Sequence, residues 1–168
     1  REQMARHPEA TPPQWVTLNI GDSRVYLLRD KYIEQITTDH SVVQELIAAG
    51  RLSPEEAESH PYGNVITRAV GPSEGVSPDY VRLDVVDSDR FVICSDGLTK
   101  ELTDYGIQHF LAENPDPADA VSAMMDAALE NGGRDNITII VGRALEAQGP
   151  DQQRAFRTDP RHGRPVFG

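Results

Sequence analysis

Seven short segments of the chain are rich in strand-forming residues, and turn-forming residues separate several of them. Connections this short are typical of antiparallel neighbours, because parallel strands need a crossover of a dozen residues or more. The predicted strands are 15–20, 24–29, 32–37, 64–70, 81–85, 91–95 and 136–141. The first three are expected to form a meander over the turns Gly21-Asp22-Ser23 and Asp30-Lys31. A hairpin turn over 87–90 is expected to join the fifth and sixth.

Helix signals are fewer, and the stronger ones fall in the second half of the chain. Thr103 and Asp116 are each placed to cap a helix there, and a proline at the first helical position follows Asp116. Two shorter helices are predicted earlier, from the capping-box pairs Ser41 with Gln44 and Ser53 with Glu56. The fold class predicted from this pattern is α+β, with mainly antiparallel sheets and helices packed on a face.

Composition narrows the classes of function. The chain has 168 residues, the length of one domain, and a net charge of −11, which argues against a nucleic-acid partner and favours cations. Its single cysteine excludes an intrachain disulfide and a multi-thiolate zinc site. Neither a long apolar run nor a signal-peptide core occurs, so we expect no membrane span and a cytoplasmic location. We expect a loop or strand remnant over 1–14, a folded domain over 15–147 and a flexible basic tail over 148–168.

Three aspartates flank predicted strands at positions where a sheet would present them at its edge. Asp96-Gly97 follows strand 91–95, Asp135 directly precedes strand 136–141, and Asp22 lies in the first turn. Carboxylate oxygens are ligands that Mg²⁺ and Mn²⁺ prefer, and glycine beside them lets backbone and metal approach closely. Each aspartate taken singly is equally typical of an ordinary turn, so the interpretation as a metal site depends on the joint pattern.

The joint pattern consists of GDSR, TTDHSVVQEL, HPYGNVITRAVG, FVICSDGLT and GGRDNITIIV, in that order. These blocks resemble the metal-dependent serine/threonine phosphatases of the PP2C (PPM) family, most of all the bacterial members that oppose serine/threonine kinases. The resemblance extends over about residues 15–143. It implies an antiparallel β-sandwich flanked by helices, in the layer order α-β-β-α, that is incomplete at its N-terminal side in this chain.

The resemblance also implies roles for individual residues. Asp96 and Asp135 would be ligands of a binuclear Mn²⁺/Mg²⁺ centre, and Asp22 would help to hold a third, looser metal. A flap of about 41–64 would lie beside the site, with His60 and Asn64 on the substrate side. The implied reaction is hydrolysis of phosphoserine and phosphothreonine by a metal-activated water, with no side chain as nucleophile. The implied partners are phosphoproteins, a serine/threonine kinase among them.

The chain departs from the family at its N-terminal side. An arginine that contacts phosphate, an Asn-Gln-Asp stretch and a DGMGG-like motif with a metal-bridging aspartate do not occur in the sequence. We therefore expect the chain to correspond to the C-terminal two thirds of the catalytic domain and to be inactive by itself. The alternative is a pseudophosphatase or regulatory module, which keeps the fold and binds a phosphoprotein without cleaving it.

Other chemistries fit the sequence less well. A cysteine phosphatase needs an arginine six positions after its cysteine, but Lys100 stands at that distance from Cys94. Cys94 also lies in an apolar strand, where a thiol is usually inert. The histidines His40, His60 and His109 are too scattered for a zinc site, and we expect each at the surface or in the flap.

Overall fold

The computed structural model describes residues 13–57, 60–71 and 75–145. The predicted tail over 148–168 lies outside the described residues, as does nearly all of the predicted remnant over 1–14. The strands are β1 (Gln14–Asn19), β2 (Arg24–Arg29), β3 (Tyr32–Gln35), β4 (Asp79–Asp84), β5 (Arg90–Cys94) and β6 (Ile139–Arg143). The helices are α1 (Val42–Ala48), α2 (Pro54–Ala57), α3 (Asp96–Thr99), α4 (Asp104–Glu113) and α5 (Pro117–Glu130). Each helix in these ranges is too short or too polar to cross a bilayer.

The strands form two antiparallel sheets. One has the order β3-β2-β5-β6, and the other consists of β1 and β4. The hairpin between β2 and β3 follows the prediction, and Asp30 and Lys31 both have positive φ, as a tight two-residue turn requires. The predicted meander is wrong at its first step, because β1 pairs with β4 rather than with β2. The predicted hairpin over 87–90 is also wrong, because β4 and β5 belong to different sheets and the segment carries the chain between them.

Strand β2 is buried on both faces, which explains why the domain has layers. Tyr26 and Leu28 point into one core with α3, α4 and α5, where Met124 of α5 is fully buried. Val25 and Leu27 point the other way, into a second core that Trp15 and Leu83 of the small sheet complete. The described residues therefore form helices, a four-stranded sheet and a two-stranded sheet in succession, which confirms the α+β prediction.

The small sheet covers only part of the larger one. Ile93 and Ile140 are cross-strand partners on β5 and β6, and they are 46% and 56% exposed. The apolar strand predicted over 136–141 is therefore exposed on one face, because only its other face packs against helices. The strand predicted over 64–70 is reduced to a single bridge between Ser41 and Ile66, formed by hydrogen bonds from Val42 N–H to the Val65 carbonyl and from Thr67 N–H to the His40 carbonyl.

The predicted helix starts are confirmed at the level of single hydrogen bonds. Ser41 and Thr103 accept hydrogen bonds from the backbone N–H groups of Gln44 and Gly106. Ser53 and Glu56 form a reciprocal capping box, with side-chain-to-backbone distances of 3.2 and 2.9 Å. Local sequence is therefore sufficient to begin these helices.

Asp89 is a buried carboxylate that connects the two sheets. Its side chain is 0% exposed and accepts a bidentate pair from Arg29 at 2.7 and 2.8 Å. It also accepts hydrogen bonds from the Trp15 indole at 3.2 Å and the Val86 N–H at 3.0 Å. Burial alone would raise the pKa of Asp89, but the hydrogen bonds from Arg29 and Val86 outweigh burial and hold this pKa below its usual value. The charged form of Asp89 is therefore the one that stabilises the connection between the two sheets.

The substitution Asp89→Asn tests this role. We expect it to lower the free energy of unfolding at neutral pH by about 1.5–3 kcal/mol, the range for hydrogen bonds to a charged group. Folding lowers the pKa of Asp89, so its contribution is complete above the pKa of the unfolded chain and is lost as the pH falls from there through the folded pKa. The gap between wild type and variant should therefore narrow below about pH 4. Urea unfolding across this pH range measures the gap. Asp87→Asn, on the exposed part of the same connection, is the control, and an equal loss there would contradict the role of Asp89.

Candidate functional site

The pairing of β5 with β6 brings two of the predicted site residues to one edge of the large sheet. Cys94, the last residue of β5, stands opposite Ile139, the first residue of β6. Beyond this pair the two backbone segments stay together, because Ser95 N–H donates to the Thr138 carbonyl at 3.1 Å. Asp96, which begins α3, and Asp135, which precedes β6, therefore emerge side by side.

Ser95 and Gly97 fix the backbone on either side of Asp96. The Ser95 hydroxyl donates to the Asn136 carbonyl at 3.1 Å and accepts from the Thr138 N–H at 3.0 Å. A Cβ added to Gly97 would lie 2.3 Å from the carbonyl oxygen of Asn136. The glycine after Asp96 is thus required by the close approach of the Asn136 backbone, and not by an unusual dihedral angle.

Lys100 joins the two aspartates. Its ammonium nitrogen lies 2.6 Å from Asp96 Oδ2 and 2.8 Å from Asp135 Oδ2. The hydrogen bonds to Asp135 and then to Asp96 raise the pKa of Lys100. The same hydrogen bond from Lys100, followed by one from the Asn136 N–H, lowers the pKa of Asp135. Both carboxylates are therefore directed at one positively charged centre.

The loop that carries Asp135 is held from the other side by Glu101. Its carboxylate accepts from Arg134 Nε at 2.9 Å, from Arg134 Nη2 at 3.1 Å and from the Arg134 N–H at 3.1 Å. The Glu101 carbonyl accepts from the Asn131 side chain at 2.9 Å. Gly132 and Gly133, both with positive φ, make the turn between α5 and this contact. The position of Asp135 is thus tied to the end of α3.

Asp22 faces the same edge from the connection between β1 and β2. Burial and then the nearby charge of Asp96 raise its pKa. His40 holds this connection: its Nδ1 accepts from the Gly21 N–H at 3.1 Å, and its Nε2 lies 2.9 Å from Asp79 Oδ2. His40 is 4% exposed, so the expectation of a surface or flap position for it is wrong.

The other predicted residues lie apart from this group. His60 accepts at Nδ1 from the Tyr62 N–H at 3.2 Å, and Asn64 is exposed. Within the described part of the flap, α1 and α2 have no buried residue. Burial raises the pKa of Cys94 to about 11, which leaves it a protonated core thiol at neutral pH.

The donor chemistry of Asp96 and Asp135 suits a hard divalent cation. Their oxygens converge within 2.8 Å of one ammonium, and carboxylate oxygens are what Mg²⁺ and Mn²⁺ prefer. Among the described residues, no group of three or more His, Cys, Asp or Glu side chains is arranged to hold a metal ion. These residues therefore fit part of a metal's ligand set, with Asp22 nearby.

The residues that arrange the site are Lys100, Glu101, Arg134 and His40, and none of them is among the site residues predicted from the sequence. The spacing of four between Asp96 and Lys100 on a helix start was a readable signal for an ion pair. The contacts of Glu101 with Arg134, and of His40 with Gly21, join distant segments, and no local pattern in the sequence indicates them.

The chain is similar in sequence to bacterial protein phosphatases, although no family model matches it. It is 38% identical over 126 residues to the protein phosphatase PhpP of Streptococcus pneumoniae, which covers 75% of this chain and 51% of that protein. It is 40% identical over 129 residues to the serine/threonine protein phosphatase PstP of Mycobacterium tuberculosis, covering 77% of this chain and 25% of that protein. The chain thus spans about half the length of the first relative and a quarter of the second.

Solved structures show the same likeness. The serine/threonine phosphatase of S. agalactiae matches with a TM-score of 0.72 and 36% identity, over 76% of this chain and 53% of that one. The catalytic domain of PstP, in complex with two manganese ions, matches with a TM-score of 0.69 and 37% identity, over 79% of this chain and 54% of that one.

The close approach at Gly97 generates a test of the site's framework. Gly97→Ala places a methyl group against backbone that cannot move as a side chain can, so we expect a loss of about 1–3 kcal/mol in the free energy of unfolding. Gly106→Ala is the control, because its added Cβ would meet its nearest neighbour at 3.7 Å and helix propensity favours alanine. Urea unfolding of both variants measures the difference. Equal stability of Gly97→Ala and wild type would contradict the packing described above.

Proposed function

The chain belongs to the PP2C (PPM) family of serine/threonine phosphatases, and from this premise we propose that the whole protein hydrolyses phosphoserine and phosphothreonine in other proteins. The observation that carries the proposal is the convergence of Asp96 and Asp135 on one cationic position at the edge of the large sheet. Similarity to named phosphatases supports the reaction class, and the two carboxylates support the role of a metal.

We assign Asp96 and Asp135 as ligands of a binuclear Mn²⁺ or Mg²⁺ centre, and Asp22 as a ligand of a third, looser metal. When bound, such metals supply an activated water for attack on phosphorus and neutralise charge on the phosphoryl oxygens. The chain's own residues set the geometry: Gly97 and Ser95 hold the backbone around Asp96, and the contact of Glu101 with Arg134 holds the loop of Asp135. The bound cations also explain how so acidic a chain would accept an anionic substrate.

The substrates we propose are phosphoproteins, with a serine/threonine kinase among them. The described flap residues, which bury no side chain in α1 or α2, would contact these substrates through the surface that includes His60 and Asn64. A cytoplasmic location stays a prediction.

A second candidate function is a regulatory module that binds phosphoproteins without cleaving them. The observation that favours it is the ion pair of Lys100 with both aspartates, which gives these carboxylates a partner other than a metal. An assay of turnover separates the two candidates.

The first test is phosphopeptide hydrolysis by the full-length protein with Mn²⁺. We expect activity that a chelator abolishes, and a loss of several orders of magnitude in Asp96→Asn and Asp135→Asn, because each change removes a ligand and its charge. Asp126→Asn on the exposed face of α5 is the matched control and should keep full activity. Turnover that persists in chelator would contradict the proposal.

The second test uses the 168-residue chain by itself. With two protein carboxylates and otherwise water as ligands, it should bind Mn²⁺ only at roughly millimolar concentration and show no turnover. Calorimetric titration and a phosphopeptide assay on the purified chain measure both properties. Micromolar binding with measurable turnover would show that the assignment of an incomplete ligand set is wrong.

A further inference from the structure

Lys100 occupies the point on which the two proposed metal ligands converge. Its ammonium is 2.6 Å from Asp96 Oδ2 and 2.8 Å from Asp135 Oδ2. We propose that Lys100 is a built-in counter-ion that competes with divalent cations for Asp96 and Asp135 and must leave when a metal binds. This inference rests on the proposed metal site and adds to it a residue that sets the cation concentration at which the site fills.

Electrostatics favours a cation at this point in the absence of metal. Two carboxylates this near to each other repel, and the charge of Asp22 lies on the same side. A single ammonium neutralises part of that charge through two short ion pairs, and the one with Asp135 is also a charge-assisted hydrogen bond. A divalent cation at the same oxygens would lie within a few ångströms of the ammonium, so the two positive charges repel and compete for the carboxylates.

The side chain of Lys100 is free to leave without a change of backbone. Lys100 is the residue that ends α3, and its side chain is 31% exposed. It has a flexible four-carbon stem, so the ammonium can exchange the carboxylates for solvent. Other contacts hold the two carboxylates. The Asn136 N–H donates to Asp135 Oδ1 at 2.8 Å, and the contacts of Ser95 and Gly97 with Asn136 fix the backbone on either side of Asp96. The metal ligands therefore stay in place when the ammonium departs.

Calorimetric titration of the 168-residue chain with Mn²⁺ tests the competition. Lys100→Met removes the charge and keeps most of the stem, so we expect Mn²⁺ to bind about tenfold more tightly than to wild type. Lys100→Arg keeps a cation and should bind Mn²⁺ nearly as weakly as wild type. Lys31→Met removes the other lysine of the chain, on the exposed β2–β3 turn, and should change nothing. Thermal unfolding of each variant verifies that it is folded.

A second measurement needs no substitution at the site. The chain has two lysines, so lysine labelled with ¹³C and ¹⁵N gives two side-chain signals, and Lys31→Arg assigns them. On titration with diamagnetic Mg²⁺, the Lys100 signal should move toward the position of the exposed Lys31 signal, with the same midpoint as Mg²⁺ binding measured by calorimetry.

The outcomes separate this inference from the proposed function. If Lys100→Met binds Mn²⁺ no more tightly than wild type, or if Mg²⁺ binds while the Lys100 signal stays in place, the counter-ion role is wrong and the metal site survives. If neither wild type nor folded Lys100→Met binds Mn²⁺ at millimolar concentration, the metal role of Asp96 and Asp135 fails as well, and the counter-ion role with it.

Discussion

The antiparallel pairing of β5 with β6 is the constraint on which the site depends. Its register sets Cys94 opposite Ile139. The backbone segments that adjoin this pair therefore carry Asp96 and Asp135 at one edge of the sheet. Ser95 continues the pairing by two hydrogen bonds through its hydroxyl, and Gly97 lets the Asn136 backbone pack against α3. Since a shift of register by one residue would move every side chain to the opposite face, the apolar packing of β5 also positions the aspartates.

The register of β5 is in turn held by cores on both faces of the sheet. Val92 and Cys94 pack with the helices, whereas Phe91 packs with Trp15 at a ring-centroid distance of 4.8 Å. Asp89, directly before β5, stabilises the connection from the small sheet to the large one through its ion pair with Arg29. Burial of apolar residues therefore fixes the strand, and polar contacts fix its two ends. The exposed Ile93 and Ile140 mark where the two-stranded sheet stops covering its neighbour.

Local signals predicted the parts of this fold that are local. The caps at Ser41 and Thr103 and the Asp30-Lys31 turn are confirmed, because each depends on residues within a few positions. The partners of the strands cannot be predicted in the same way. Alternation shows which face of a strand is apolar, but not which strand lies beside it. The predicted pairing of β1 with β2 is therefore wrong, and β1 pairs with β4. The nearness of Asp96 and Asp135 followed from their places beside two apolar strands. The contact of Lys100 with Asp135 and the burial of His40 did not, since these contacts join segments far apart in sequence.

The proposed position of a divalent cation lies between Asp96 and Asp135, where Lys100 stands without one. Crystals of the chain soaked in excess Mn²⁺ and measured at the manganese absorption edge test it most directly. We expect an anomalous peak between the two carboxylates, with the Lys100 ammonium turned away into solvent. Manganese found only elsewhere, with Lys100 still bridging Asp96 and Asp135, would contradict it.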